Sequence, residues 1–489
     1  MPESDALDLL RLRTRRLNTR RVISKGRDYV LCWLQQALRA EHNPVLDTAI
    51  ALGNDRGLPV VVYHGLDNRY PYASHRLHRF ILEASQSLGE GVERRGLRFC
   101  RYVRRPDTLE EGLVYRLAER AAAIVTDDMP TYVARWQADR VAARGERPVL
   151  VVDAACSVPL NAFETHLGAT EAFRAAHTPL RPRHLDAVLT QEPDVPRYGG
   201  DLPFEPDDLA GWDGERLDRL IASCGVDMTL PPAPTFHGSR DAALDHWAWA
   251  LAEVVPDYNR TRNNPADPTS STRLSPWMHF GVLDPRELAR AVKSADLHSA
   301  ARWKFLDELL TWREYYHHRA RWLDAPAGLR SVPSWAKATL AEHADDPRNP
   351  LPLDALVHGE TGDETWNAAQ KQFLLDGWMH NNLRMYWVKQ ILPWCETPEE
   401  AWAIACYLND RLSLDGRDPS TYGGIRWGFG QSKKAYKETT VYGWVPRKTS
   451  GALRKRKGVP AWLEEQAGRP VYRIDVPDKL PAEVAARYA

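Results

Sequence analysis

Apolar positions in the first third of the chain come in short runs: DYVLCWL (28–34), PVVVYHGL (59–66), LRFCRYV (97–103), AAAIVTDD (121–128) and PVLVVDAAC (148–156). Between them the pattern turns amphipathic, as in NPVLDTAIALGNDRG (43–57), which stops at Gly57, and SHRLHRFILEASQSL (74–88). Apolar runs of strand length alternating with helical stretches predict a doubly wound, parallel α/β sheet with helices on both faces, over residues 1–160. Neither G-x-G-x-x-G nor G-x-x-x-x-G-K-[ST] follows the first run, so the usual dinucleotide or NTP site is not supported. Residues 161–240 are rich in Pro and Asp, with weak periodicity, and read as a connector packed over the surface. From 241 to 489 the pattern is helical, with caps such as Thr397-Pro398-Glu399-Glu400, so the second domain is expected to be all-α.

The chain's 489 residues exceed one ordinary core, in keeping with two domains. Lys+Arg and Asp+Glu both count 65, so any polyanionic partner must be held by local clusters rather than by net charge. No segment has the apolar length of a membrane span, and the N-terminus lacks a signal peptide's apolar stretch. That N-terminus is Arg-rich and reads as a basic arm or short helix. Six cysteines without a C-x-x-C pair argue against a disulfide framework or a zinc site and fit a reducing cytoplasm. The 18 tryptophans fall mostly in the C-terminal half.

One stretch, DGWMHNNLRMYWVKQILPW (376–394), mixes rings with hydrogen-bonding groups. Read as one helix, it puts His380, Trp387 and Trp394 on one line, with Arg384 between them, beside Trp378, Asn381, Met385 and Val388. A ring stripe alone is ordinary core. Burying Arg384, Asn381 and Asn382 beside it without partners would cost roughly 1–3 kcal/mol each, more for the charge, so this face is expected to meet a polar ligand or charged partner. Residues 408–430, read as a turn-rich loop after ~412, offer Asp415 as a partner for Arg384 or, equally, chance acids on a surface loop. In SSTRLSPWMHF (270–280), Ser and Thr before a Pro-started helix can cap it or hold a phosphate, with Arg273 adding charge. In FLDELLTWREYYHHRARW (305–322), Glu308 and Trp312 lie four apart and could grip a flat, hydrogen-bonding group, or simply belong to an amphipathic helix.

In order along the chain stand Y-x-x-x-R-N (258–263), STRLSPWMHFG (271–281), ELLTWRE (308–314), WNAAQ (366–370), GWMHNNLRMYW (377–387), LNDR (408–411) and LDGRDP (414–419). Together they resemble the photolyase/cryptochrome family and, within it, the class II cyclobutane pyrimidine dimer photolyases. WLQQALRAEHNPVLDTAI (33–50) and IVTDDMPTYVARW (124–136) extend the resemblance into the N-terminal half. Residues 427–446 follow the pattern only loosely, and Asn382 stands where the family varies.

The resemblance implies an α/β domain, a linker and a helical domain that binds FAD in a U shape. It implies that Tyr258, Ser271, Thr272, Arg273, Leu274 and Ser275 hold the phosphates and ribityl chain. Arg384 and Asp415 match a salt bridge beside the isoalloxazine, and Asn409 matches the residue facing flavin N5. Glu308, Trp312, Asn263, Met385 and Trp427 match a pocket for a flipped dimer. Arg262 is implied near the lesion phosphate, with Asn381 and Asn382 at the pocket mouth. Trp387, Trp366 and Trp394, from inside outward, match a chain that carries electrons to the flavin. Among concentrated charges, RKTSGALRKRK (447–457), with Arg447, Lys448, Arg454 and Lys455, is the best candidate for DNA. A deazaflavin or folate antenna could sit in the α/β domain, although no residue set selects one.

The implied activity is light-driven repair of cyclobutane dimers in UV-damaged DNA by a cytoplasmic, monomeric protein needing no metal. A cryptochrome-like photoreceptor without repair is the alternative, disfavoured because a sensor has no need of Glu308, Trp312, Met385 and Trp427. Repair of (6-4) photoproducts is disfavoured because His380 alone does not supply a histidine pair.

Overall fold

The computed structural model describes residues 3–107, 110–432 and 434–489. All five apolar runs form strands: β2 Tyr29–Trp33, β3 Val60–Leu66, β4 Arg98–Val103, β5 Ala121–Asp127 and β6 Val149–Val152. With β1, Thr14–Arg16, at one edge, the sheet order is β1-β6-β5-β2-β3-β4, and β2 to β6 pair in parallel. Burial on both faces explains why β2 and β5, inside the sheet, are almost continuously apolar.

The N-terminal arm forms the short helix that its sequence allows and, beyond it, an edge strand that the sequence reading did not include. After the helix Glu3–Arg13 it supplies β1, which runs antiparallel to β6. The fully buried Arg13 guanidinium fixes that edge by donating to the carbonyls of Asp153 (3.0 Å) and Cys156 (2.8 Å). Helix Pro44–Arg56 ends as the sequence indicates, at Gly57 with φ 63°. The connector carries helices of its own, including Thr170–His177 and Gly214–Ala222, and the latter buries Leu217, Leu220 and Ile221.

From Arg240 onward the described regular elements are helices, and one apolar core runs from β2 and β3 through Trp277, Leu309 and Leu414. Arg76 crosses the domain boundary to donate to the carbonyls of Leu412 (2.8 Å) and Leu374 (2.6 Å). Arg39 does the same to Gly281 (2.6 Å), and the Thr131 hydroxyl to Arg417 (2.9 Å). These bonds satisfy backbone carbonyls at the ends of helices that surround the site. No described helix is long and apolar enough to cross a membrane.

Two helix boundaries correct the sequence reading. Residues 376–394 are not one helix: Glu364–Asp376 ends at Gly377 (φ 64°), and a new helix, Asn381–Ile391, starts with His380 as its cap. His380 and Trp378 therefore precede the helix that carries Trp387 rather than sharing it. Residues 408–430 are not a loop throughout. Helix Pro398–Leu412 is followed by a short turn and then by helix Pro419–Gly428, capped by Asp418, which accepts from Ser420 N at 2.8 Å. Three glycines in that helix lower its intrinsic propensity. Packing overrides this, because a Cβ on Gly423 would stand 2.2 Å from the Tyr316 ring.

Candidate active site and electron path

Four separate segments meet around a cavity of about 610 Å³ in the helical domain. The first is Ser271–Ser275. Arg273 holds the left-handed backbone (φ 51°), rare for a residue with a side chain, and His246 Nε2 lies 2.8 Å from the Thr272 carbonyl oxygen. The Arg273 guanidinium stacks over Trp378 at 5.0 Å, and its Nε has no partner among the described residues.

The second segment is the turn between Leu412 and Pro419. Leu414 N donates to the Gly377 carbonyl (2.9 Å), Arg417 N to Asp410 Oδ1 (2.9 Å), and the Thr421 hydroxyl to the Asp415 carbonyl (2.8 Å). This lattice aims Asp415 at Arg384 Nη2, 3.0 Å away, and Ser275 Oγ donates to the other carboxylate oxygen at 2.6 Å. The Ser413 hydroxyl also donates to Asp415. Burial alone would raise the Asp415 carboxyl; Arg384 and the two hydroxyls outweigh it and hold it below the usual carboxylate value.

The third segment is a π-helical turn, Asp307–Trp312, between two α-helices. It brings Glu308 and Trp312 to the cavity together. Trp312 meets Trp427 edge to face, with ring centres 6.0 Å apart and planes at 62°, so two indoles form a corner. The fourth segment is Asn381–Ile391, whose Asn381, Arg384 and Met385 line the same space.

Fourteen of the residues singled out from sequence therefore share one wall system: Tyr258, Arg262, Ser271 to Ser275, Glu308, Trp312, Asn381, Arg384, Met385, Asp415 and Trp427. Asn409 is not on that wall. It is fully buried behind Gly416, with Nδ2 3.3 Å from Asp410 Oδ1 and an amide oxygen lacking a partner among the described residues. Asn263 and Asn382 lie outside the cavity, bonded to each other at 3.0 Å, and Lys448 Nζ donates to the Asn382 carbonyl at 3.1 Å. Arg447, Arg454 and Lys455 are exposed, and Arg454 pairs with Glu364. Sequence reasoning missed Lys304, Arg313, Tyr316 and Thr421 on the wall. Only Lys304 left a readable sign, standing one helical turn before Glu308.

The three tryptophans lie outside the cavity and in mutual contact. Trp366 and Trp387 stack at 6.1 Å with planes 5° apart, and Trp394 meets Trp366 edge-on at 5.1 Å. Trp366 and Trp387 are fully buried, whereas Trp394 is partly exposed. Phe373 bridges inward, 5.7 Å from Trp387 and 5.4 Å from the Arg384 guanidinium. The row thus runs from the surface to the cavity wall.

The cavity suits a large polar ligand. Its volume falls within the range of ligand pockets, and buried atoms of Arg273, Arg384 and Ser420 lack partners there among the described residues. No cluster of three or more His, Cys, Asp or Glu among the described residues could hold a metal ion. In the α/β domain the crevice beside Gln36 and Asp127, at the switch between β2 and β5, measures only about 20 Å³. Asp127 closes it by accepting from the N–H groups of Gln35 and Ala37, both at 2.7 Å. Room for about one water is too little for a deazaflavin or folate there. A cleft of about 200 Å³ lies at the ends of β3 and β4.

The DNA photolyase family model matches residues 30–196. A protein of Methanothermobacter thermautotrophicus named deoxyribodipyrimidine photo-lyase is 30% identical over 458 residues, covering 93% of this chain and 98% of its own. The chain belongs to the photolyase/cryptochrome family. Solved family folds agree. A Synechocystis cryptochrome superposes with a TM-score of 0.65 at 15% identity, covering 91% of this chain and 90% of its own. An archaeal photolyase from Sulfolobus tokodaii, solved with two FAD molecules, gives 0.60 at 18%, covering 90% and 89%.

Proposed function

We propose that the protein is a class II cyclobutane pyrimidine dimer photolyase. It binds UV-damaged DNA, takes the dimer out of the stack into the 610 Å³ cavity and splits it with light, using FAD. The observation that carries this reading is that the Arg384–Asp415 pair and the Trp312–Trp427 corner, with Glu308, open into one space. The Methanothermobacter relative's name, the FAD molecules of the Sulfolobus structure and the ordered class II motifs support it.

Ser271 to Ser275 would take the phosphates and ribityl chain, with Arg273 supplying charge. Arg384 and Asp415 would flank the ring system, with Asn409 one layer behind Gly416. Reduced FAD supplies one electron when it absorbs blue or near-UV light. Trp312 and Trp427 stack on the extruded bases and exclude water, while Glu308 meets a base edge. Trp394, Trp366 and Trp387 carry electrons inward to restore the reduced cofactor.

Base–aromatic stacking is worth about 1–3 kcal/mol per base. Trp312→Ala is accordingly expected to weaken binding to a single-dimer oligonucleotide about tenfold or more, with little change for undamaged DNA, by gel shift in the dark. Removing the Arg447 and Lys455 charges together should weaken binding to both DNAs. It should also reduce the slope of log K against log salt by about one for each phosphate no longer neutralised.

The test of the reading is direct. Chemically reduced protein is mixed with a thymine-dimer oligonucleotide, illuminated with blue light and followed by recovery of thymine absorbance against a dark control. Recovery only in the light supports repair. No recovery from protein that holds photoreducible FAD rejects it in favour of a photoreceptor.

A further inference from the structure

Glu308 does not stand alone in its wall of the cavity. Lys304, on the helix Ser299–Leu306, places Nζ 2.6 Å from Glu308 Oε1, and Arg262 Nη2 reaches the same oxygen. Glu308 Oε2 makes no hydrogen bond with a described residue, and all three side chains line the cavity. Two cations donate to Glu308 Oε1, which leaves Oε2 as the oxygen free to meet a ligand. The neighbouring acid, Asp307, is already taken by Arg174 Nε at 3.1 Å and lies 3.7 Å from Lys304, so the group carries surplus positive charge. Nor does helix stability account for Lys304: a Lys four residues before a Glu is the weaker orientation, and each partner is roughly a quarter exposed, where such pairs contribute little.

We propose that Lys304 is a substrate-contacting residue that recognises the imide edge of a pyrimidine and stabilises the charge that develops on it. This inference rests on the dimer-repair reading above. A thymine edge presents an N3–H between two carbonyl oxygens. The free oxygen of Glu308 accepts the N3–H, and the Lys304 ammonium, turning from Glu308, donates to O4. When one electron enters the dimer, its negative charge spreads onto O4, where a preoriented ammonium is most stabilising. The C5–C5 and C6–C6 bonds then break and the electron leaves, so no proton or net electron is consumed.

Lys304→Met, Lys304→Gln and Lys304→Arg are made in the full chain and loaded with FAD, and each is checked for flavin content. Two quantities are read: dark binding of a single thymine-dimer oligonucleotide against undamaged DNA, and repair per absorbed photon at saturating dimer. Lys304→Met is expected to bind the dimer about tenfold more weakly, the size of one lost hydrogen bond to a charged group, and to repair with a lower yield. Lys304→Gln keeps a donor without the charge, so it should retain most of the binding and lose the yield; it carries the test if the Met variant does not fold. Lys304→Arg should restore both. Wild-type binding and yield in the Met and Gln variants would overturn the assignment and leave Lys304 an ordinary ion pair. If wild-type protein neither binds nor repairs the dimer, the reading of the whole site falls with it.

Discussion

Trp387→Phe is expected to abolish light-driven reduction of bound FAD while sparing dimer repair by protein reduced chemically beforehand. The geometry makes Trp387 a bottleneck. It is fully buried, stacked 6.1 Å from Trp366, and is the ring of the three that adjoins Phe373 and, beyond it, the Arg384 wall. On the proposed path, an electron entering at the partly exposed Trp394 would reach the cavity through these rings in turn. A barrier raised by only about 3 kcal/mol slows a step about a hundredfold, and oxidising a phenyl ring costs far more than oxidising an indole. Trp366→Phe should act similarly, and Trp394→Phe less strongly, because solvent already approaches that end of the row. The substitution also strands Gln370 Oε1, which accepts from Trp387 Nε1 at 2.7 Å, at a cost of about 1–3 kcal/mol in stability. The assay is absorbance of the flavin under blue light with an external thiol, alongside a melt to confirm folding. Photoreduction at the wild-type rate, or loss of repair in the chemically reduced variant, would refute this path.

The strands were legible because a sheet buried on both faces favours nearly continuous apolar runs, clearest in β2 and β5. For Arg384 the pattern showed only that a buried charge needs a partner; the family resemblance, not the spacing, singled out Asp415 among the acids of that segment, and the structure pairs them. What escaped depends on tertiary contacts. The glycine-rich helix Pro419–Gly428 exists because Tyr316 leaves no room for a larger residue at Gly423, which local propensity does not record. The break at Gly377 leaves Trp378 and His380 ahead of the helix that carries Trp387, yet an unbroken helical period runs across it in the sequence. The π turn at Asp307–Trp312 has no sequence signature, and it carries both Glu308 and Trp312 to the cavity. Asn409 carries a matching motif but sits behind Gly416, a displacement of one layer that no spacing argument resolves.

Asp415→Asn should cost the folded protein about 3 kcal/mol near neutral pH and release FAD. Arg384 and Asp415 side chains are 10% and 9% exposed, so removing the carboxylate leaves a guanidinium with little access to water. The asparagine amide can still accept from Ser275 or Ser413, which makes lost charge rather than lost shape the main effect. A second variant separates the two. Arg384→Met combined with Asp415→Asn leaves no stranded charge and is expected to be more stable than Asp415→Asn alone, while still failing to retain FAD on gel filtration. The pH dependence has a definite sign. Folding holds the Asp415 carboxyl below its usual value, so its contribution is complete above pH of about 4 and is lost as the pH falls through the folded value. The stability gap between wild type and Asp415→Asn, measured by denaturant titration, should therefore be widest at pH of about 6 to 7 and close in acid. A gap that stays constant into acid would mean the ionised pair is not its source.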